Sequence, residues 1–217
     1  MPPLLFWSFV ASTVGVWGAQ SFASLIAGSP ALHAISDAAL LSVVGLELLM
    51  AAVWVPILRR RGWSLDVVTT RASAADPLRG LTLYVINLLA YWVFYDLARL
   101  LAPGFVAATV ESMRVRGTVS WGTVLVLTVV NPVVEEFVYL GFLANVLRRQ
   151  GTSVALAASV LARVVVHVYQ GPLGALSTVP YGLVLAGFYL DDRRLWPAVI
   201  AHGLADLAGL AAIVRAA

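Results

Sequence analysis

The sequence predicts an all-α fold, a polytopic transmembrane helical bundle of about seven spans, and three observations predict it. Hydrophobic residues make up 61% of the 217 residues and charged residues 12%, with a mean hydropathy of +0.91. A soluble domain holds about 45–50% apolar and about 25% charged residues. Several apolar runs reach or approach the ~20 residues that cross a bilayer as a helix. The basic residues, all 14 of them arginine, sit mainly in short stretches between those runs. A net charge of +3 placed this way sets membrane topology and is no nucleic-acid signature. The absence of cysteine excludes disulfides and thiolate chemistry.

The spans follow in order. Span 1 covers about residues 4–26, and a Gly28-Ser29-Pro30 loop follows it. The Met1-Pro2-Pro3 start has neither a basic segment nor a small-residue cleavage pattern, so span 1 is expected to be kept rather than cleaved as a signal peptide. Span 2 covers about 38–58 with Glu47 near its middle, and a polar loop from Arg59 to Arg79 carries five Arg and two Asp. Span 3, about 81–101, contains Asp96 and Arg99, three apart and suited to pair with each other. Residues 103–120 are less apolar and suit an eighth, re-entrant or interfacial element. Span 4 covers about 121–147, span 5 about 154–169, a short span 6 about 176–190, and span 7 about 196–214. The whole chain, 1–217, reads as one integral membrane domain, with scaffold spans in 1–117 and motif-bearing spans in 118–210.

Cytoplasmic loops carry an excess of basic residues. Placing Arg59–Arg79 inside and alternating puts the Arg148-Arg149 and Arg193-Arg194 turns inside too. Nine Arg are then cytoplasmic, against Arg114, Arg116 and Arg215 outside. The N-terminus is expected in the cytoplasm, and the setting is expected to be a bacterial inner or plasma membrane.

The chemistry is expected around Asn131–Leu143, NPVVEEFVYLGFL, which sets Glu135 and Glu136 inside an apolar run. A charge in lipid or an apolar core costs several kcal/mol unless paired or neutralised, so such a pair is a functional candidate. The bland reading is a structural polar pair holding helices together. Residues four apart share a helix face, which joins Asn131 with Glu135, Arg163 with His167, and His202 with Asp206. Glu135 and Glu136 point about 100° apart, so only one aims straight at a shared site. Pro132 is expected to kink span 4 just before the pair. By residue count Glu135 lies about 20 Å from Arg148, and His167 lies about 21 Å from Ser153, so the two share a level. His202 lies only about 12 Å from Arg194, a mismatch of about 8 Å that needs tilt or a turn set into the bilayer. A carboxylate acting as base on water, with histidine transferring a proton or stabilising an oxyanion, makes hydrolysis the natural chemistry. The alternative is a divalent metal such as zinc, held by the histidines and carboxylates. No HExxH is present, and the two histidines stand 35 residues apart.

EEFVYLGFL, RVVVH (Arg163–His167) and HGLAD (His202–Asp206), in this order on successive spans, resemble the CPBP intramembrane proteases. That family includes type II CAAX prenyl endopeptidases and bacteriocin-processing relatives, also called the abortive-infection family. The resemblance covers about residues 118–210. It implies that Glu135 activates water with His167, that His202 and Asp206 polarise the scissile carbonyl, and that Glu136 supports them. It implies a membrane-associated peptide or protein substrate in the bilayer, prenylated or bacteriocin-like. The family has been described both as metalloproteases and as metal-independent glutamic proteases, and a layout that offers a general base with oxyanion donors favours the glutamic mechanism, with no cofactor. The family pattern EExxxR, FxxxH, HxxxN/D is broken twice, by Leu140 where Arg stands and by Arg163 where Phe stands. One reading joins the two: Arg163 reaches across from span 5 and supplies Glu136 with the cation missing at 140. Loss of both motif residues also suits a non-catalytic member acting as scaffold or immunity factor. Buried acids and histidines also suit a proton-coupled transporter, although no repeat halves are evident.

Overall fold

The computed structural model describes residues 1–26, 36–112 and 119–216. The loop at Gly28-Ser29-Pro30, His33, and the outward Arg114 and Arg116 lie outside the described residues. The helices are α1 (Pro3–Ile26), α2 (Asp37–Arg60), α3 (Asp76–Leu101), α4 (Pro103–Ser112), α5 (Trp121–Gln150), α6 (Thr152–Val166), α7 (Gly171–Asp192) and α8 (Leu195–Ala216). No strand occurs among the described residues. Among the described residues six helices are long and apolar enough to cross a membrane, and α6, with 15 residues, is shorter. Span 6, expected to be short, is a 22-residue helix. The less apolar stretch after Leu101 forms a ten-residue helix, α4.

The chain is organised around α5. Half of its most apolar window is buried inside the protein, against 11% of the window in α3. The α2, α6 and α8 helices pack on it, α8 also lies along α3, and α7 lies between α6 and α3. Its interior half, Val138–Ala144, is buried throughout and joins Phe6, Phe9 and Trp17 of α1 in the core. Phe142 stacks on Phe9 with ring centroids 3.7 Å apart.

The two ends of the bundle are tied differently. At one end the Ser120 N–H donates to Asp37 Oδ1 at 2.8 Å, so α2 and α5 start side by side. Ser120 Oγ also accepts from the Thr123 N–H and caps α5. At the other end the segment after α2 folds under the α7–α8 turn. Arg194 bonds Asp76 at 2.8 Å, the Leu195 N–H donates to Thr69 Oγ1 at 2.7 Å, and Arg79 meets Asp192 at 3.4 Å. The three arginine clusters assigned to one membrane face thus meet at one end of the bundle. Asp96 and Arg99 pair at 3.6 Å on an exposed face of α3.

Pro132 lies within the α-helical stretch Trp121–Glu136, and a departure from α geometry follows the glutamates, where Phe137–Ala144 forms a π-helix. A π segment widens the backbone ring by one residue and turns the following side chains relative to an α-helix. Gly203 lets α8 approach α5: a Cβ there would lie 2.9 Å from the Thr128 carbonyl oxygen. Gly187 has nothing near it, and Gly171 serves a turn at φ 77°. Gly203→Ala is expected to push α8 off α5 and destabilise the fold by about 1–3 kcal/mol, measurable as a lowered thermal midpoint in detergent.

Candidate active site

The residues singled out from the sequence converge on α5, α6 and α8. Glu136 is 0% exposed and grips two partners. One carboxylate oxygen, Oε2, accepts from the Arg163 guanidinium, and the other, Oε1, lies 2.7 Å from His202 Nδ1. An ionised carboxylate only accepts hydrogen bonds, so His202 Nδ1 carries the proton and donates it. His202 Nε2 then points at Asp206 Oδ1, 3.5 Å away, and at Glu135 Oε2, 4.0 Å away. Asn131 Nδ2 donates to Asp206 Oδ2 at 3.2 Å.

Arg163 is enclosed by aromatic faces as well as by charge. Its guanidinium carbon stands 4.5 Å from the Tyr139 ring centroid and 5.6 Å from that of Tyr181. Such stacking suits a guanidinium in a dry interior. Gly182 makes room for the stem, because a Cβ there would meet Arg163 Cδ at 3.2 Å. Tyr181 also sets its ring edge to His202, with centroids 5.7 Å apart. Leu140, standing where the motif has Arg, is fully buried in the apolar core. The cation therefore reaches Glu136 from α6, not from its own helix.

His167 stands apart from this cluster. The α6 helix stops at Val166, and His167 caps its end with φ −100° and ψ 8°. Its Nδ1 lies 2.8 Å from the Arg163 carbonyl oxygen. A carbonyl only accepts, so Nδ1 donates there, and in the neutral ring Nε2 is left as the acceptor. Among the described residues it makes no ion pair within 4 Å with Glu135, but the two interact electrostatically. Tyr169 stacks beside the ring at 6.1 Å.

The expected 8 Å depth mismatch disappears because the α7–α8 turn is seated deeper than residue counting places it. Arg193, at φ 59°, bonds Asn145 at 2.7 Å rather than lying level with Arg148, and the Tyr189 hydroxyl bonds the Val68 carbonyl. Counted from Asn145 and Arg193, Glu135 is about 15 Å away and His202 about 14 Å. A second expectation is corrected too. The 100° between the glutamates does not leave one of them outside the site, because they flank His202 from two sides.

The site is graded in exposure. Side-chain exposure rises from 0% at Glu136 through 8% at His202 and 10% at Glu135 to 22% at Asp206. The cluster is most open on the side of Asp206 and Glu135, and Glu136 forms its floor. Glu135 Oε2 and the Tyr139 and Tyr181 hydroxyls have no hydrogen-bond partner among the described residues. No three His, Asp or Glu side chains among the described residues are arranged to hold a metal ion. The donors are turned toward one another and toward Arg163, which is a poor cradle for a cation. Sequence reasoning missed Tyr181, which carries no signal beyond an aromatic residue in a span.

Arg163→Leu is expected to leave Glu136 charged in the interior with one oxygen, Oε2, stripped of its partner and only His202 on the other. The loss of stability should be about 3–5 kcal/mol, and adding Glu136→Gln should restore more than half of it. Chemical denaturation of the single and double variants in detergent measures both.

Residues 117–208 match the family described as type II CAAX prenyl endopeptidase Rce1-like, and this stretch contains all three motifs and every cluster residue named above. No curated protein and no solved structure matches the chain. The match ends short of α1, α2 and α3, which rest on their own apolar sequences and packing. Over residues 117–208 this multi-pass membrane protein is similar to the type II CAAX prenyl endopeptidase Rce1-like family.

Proposed function

We propose that the chain is an intramembrane endopeptidase that hydrolyses peptide bonds of membrane-associated substrates with water activated by Glu135 and His167. The observation that carries this reading is His202, whose Nδ1 is bonded to Glu136 and whose Nε2 is turned toward Glu135 and Asp206. A base and a proton-bearing donor thus share one partly open corner.

In this reading a substrate carbonyl enters beside Asp206 with its oxygen toward His202 Nε2. Glu135, aided by the acceptor nitrogen of His167, takes a proton from water, and the water oxygen attacks the carbonyl carbon. With carboxyl oxygens facing both ring nitrogens, His202 acts as the imidazolium, whose Nε2–H stabilises the oxyanion while Glu136 with Arg163 holds the ring in place. Collapse of the tetrahedral species breaks the C–N bond. The proton on Glu135 passes to the leaving nitrogen, giving a carboxylic acid and an amine, and the acid proton then passes to the amine to leave a carboxylate and an ammonium group. Asp206, oriented by Asn131, lines the entry and holds the substrate side of His202. Every step uses groups of the chain and water, so the mechanism is that of a glutamic protease and calls for no cofactor. Prenylated CAAX proteins and bacteriocin-like peptides are the substrate classes that the family description and the motif resemblance support. The clustering of Arg59–Arg79, Arg148-Arg149 and Arg193-Arg194 at one end supports a cytoplasmic N-terminus in a bacterial plasma membrane.

Purified wild type and Glu135→Gln are to be compared on a panel of lipidated and unlipidated peptides by mass spectrometry. The wild type is expected to cleave, and the variant, with its shape kept and its base removed, to be slower by about 10²–10⁴-fold. Equal cleavage by both would remove Glu135 from the mechanism.

A further inference from the structure

At the end of the bundle where the arginine clusters meet, the turn between α7 and α8 sets an arginine in a backbone conformation that favours glycine. Arg193 has φ 59°, the only positive φ at a non-glycine residue among the described residues. Its Nη2 donates to Asn145 Oδ1 at 2.7 Å and to the Val67 carbonyl at 3.3 Å, and its guanidinium carbon lies 4.8 Å from the Tyr189 ring centroid. These contacts fix the side chain and use one of its two terminal nitrogens. The other, Nη1, is buried and has no hydrogen-bond partner among the described residues. No carboxylate neutralises the charge. Among the described residues Asp76 is taken by Arg194 and Asp192 by Arg79, and neither Asp66 nor Asp191 forms an ion pair with Arg193.

A second cation stands beside it. Arg148 follows Asn145 by one turn on the same face of α5. Its side chain is exposed and has no partner of its own among the described residues. Its charge acts unfavourably on that of Arg193. Two cations around an unmet buried donor are costly unless an anion joins them. Guanidinium N–H groups match the oxygens of a phosphate. The place is where α5 ends at Gln150 and α7 at Asp192. The outward apolar face of α6 begins just beyond, with Val154 and Leu161 exposed. A phospholipid seated there sets its phosphate on the arginines and its chains along that face. We propose that Arg193 Nη1 and Arg148 form a binding site for a phosphate group, carried by an anionic phospholipid of the surrounding leaflet. Its occupant braces the turn that seats His202. The binding stands independently of the endopeptidase reading.

The test is calorimetric titration of the full chain in detergent with short-chain phosphatidylglycerol, short-chain phosphatidylcholine and inorganic phosphate. Phosphatidylglycerol is expected to bind saturably, and Arg148→Gln to weaken it about tenfold, the loss of one charge-assisted contact. Arg148 is exposed, so this variant keeps the fold. Arg193→Lys, which keeps the charge and removes the forked donors, is expected to weaken binding as well. Arg60→Gln, at the same end but on α2, is expected to leave it unchanged. Saturable binding of inorganic phosphate as tight as that of the lipid, and weakened by Arg148→Gln, would keep the phosphate site and move its source from the bilayer to solution. The proposal is overturned if neither phosphatidylglycerol nor phosphate binds saturably, or if phosphatidylcholine binds as tightly as phosphatidylglycerol. Equal weakening by Arg60→Gln and Arg148→Gln overturns it too, because the charge of the whole surface would then suffice.

Discussion

The structure depends on one buried anion. Glu136 sits on the central helix with no exposure, and an uncompensated carboxylate there would cost several kcal/mol. Two helices answer it, α6 with Arg163 and α8 with His202. Satisfying that charge fixes how α6, α7 and α8 sit on α5. It requires Gly182 to admit the Arg163 stem and Gly203 to let α8 come close enough for the adjacent histidine to reach. The same contacts decide which nitrogen of His202 is free to face reactants.

This arrangement separates holding from reacting. The fully enclosed Glu136–Arg163 pair and its aromatic walls are rigid because every move exposes a charge to an apolar surrounding. Glu135, His202 Nε2 and Asp206 lie toward the more open side and keep unspent hydrogen-bonding capacity. The π-helix after the glutamates adds to this division. It puts Tyr139 under Arg163 and Phe142 into the α1 stack from one short stretch of α5. The replacement of a same-helix Arg by Leu140 and of an apolar residue by Arg163 moves the cation to a neighbouring helix. The pairing that a motif normally makes within a helix here becomes a tertiary contact.

The N-terminal spans do more than fill the bilayer. The α1 helix seals the π segment with Phe6 and Phe9, and its Ser21 accepts from the Tyr169 N–H beside His167 at 2.8 Å. The polar segment after α2 locks the α7–α8 turn through Thr69, Val67 and Asp76, which sets the depth of His202. A polar loop of this kind, read alone, is only a topology marker.

By itself the sequence determined the all-α membrane class, the spans and the three motif segments, because hydropathy and i,i+4 spacing are local properties of the chain. It also limited Arg163 to few roles, since an arginine in an apolar run must find an anion. Only the tertiary structure decided which anion, that both glutamates flank His202, and that His167 ends a helix. These depend on helix depth, on a π segment that shifts the helical phase, and on glycine-permitted approaches between helices. Residue counting from loop arginines left His202 about 8 Å short of Glu135 and required tilt or a sunken turn; the structure has the turn held inward at Asn145.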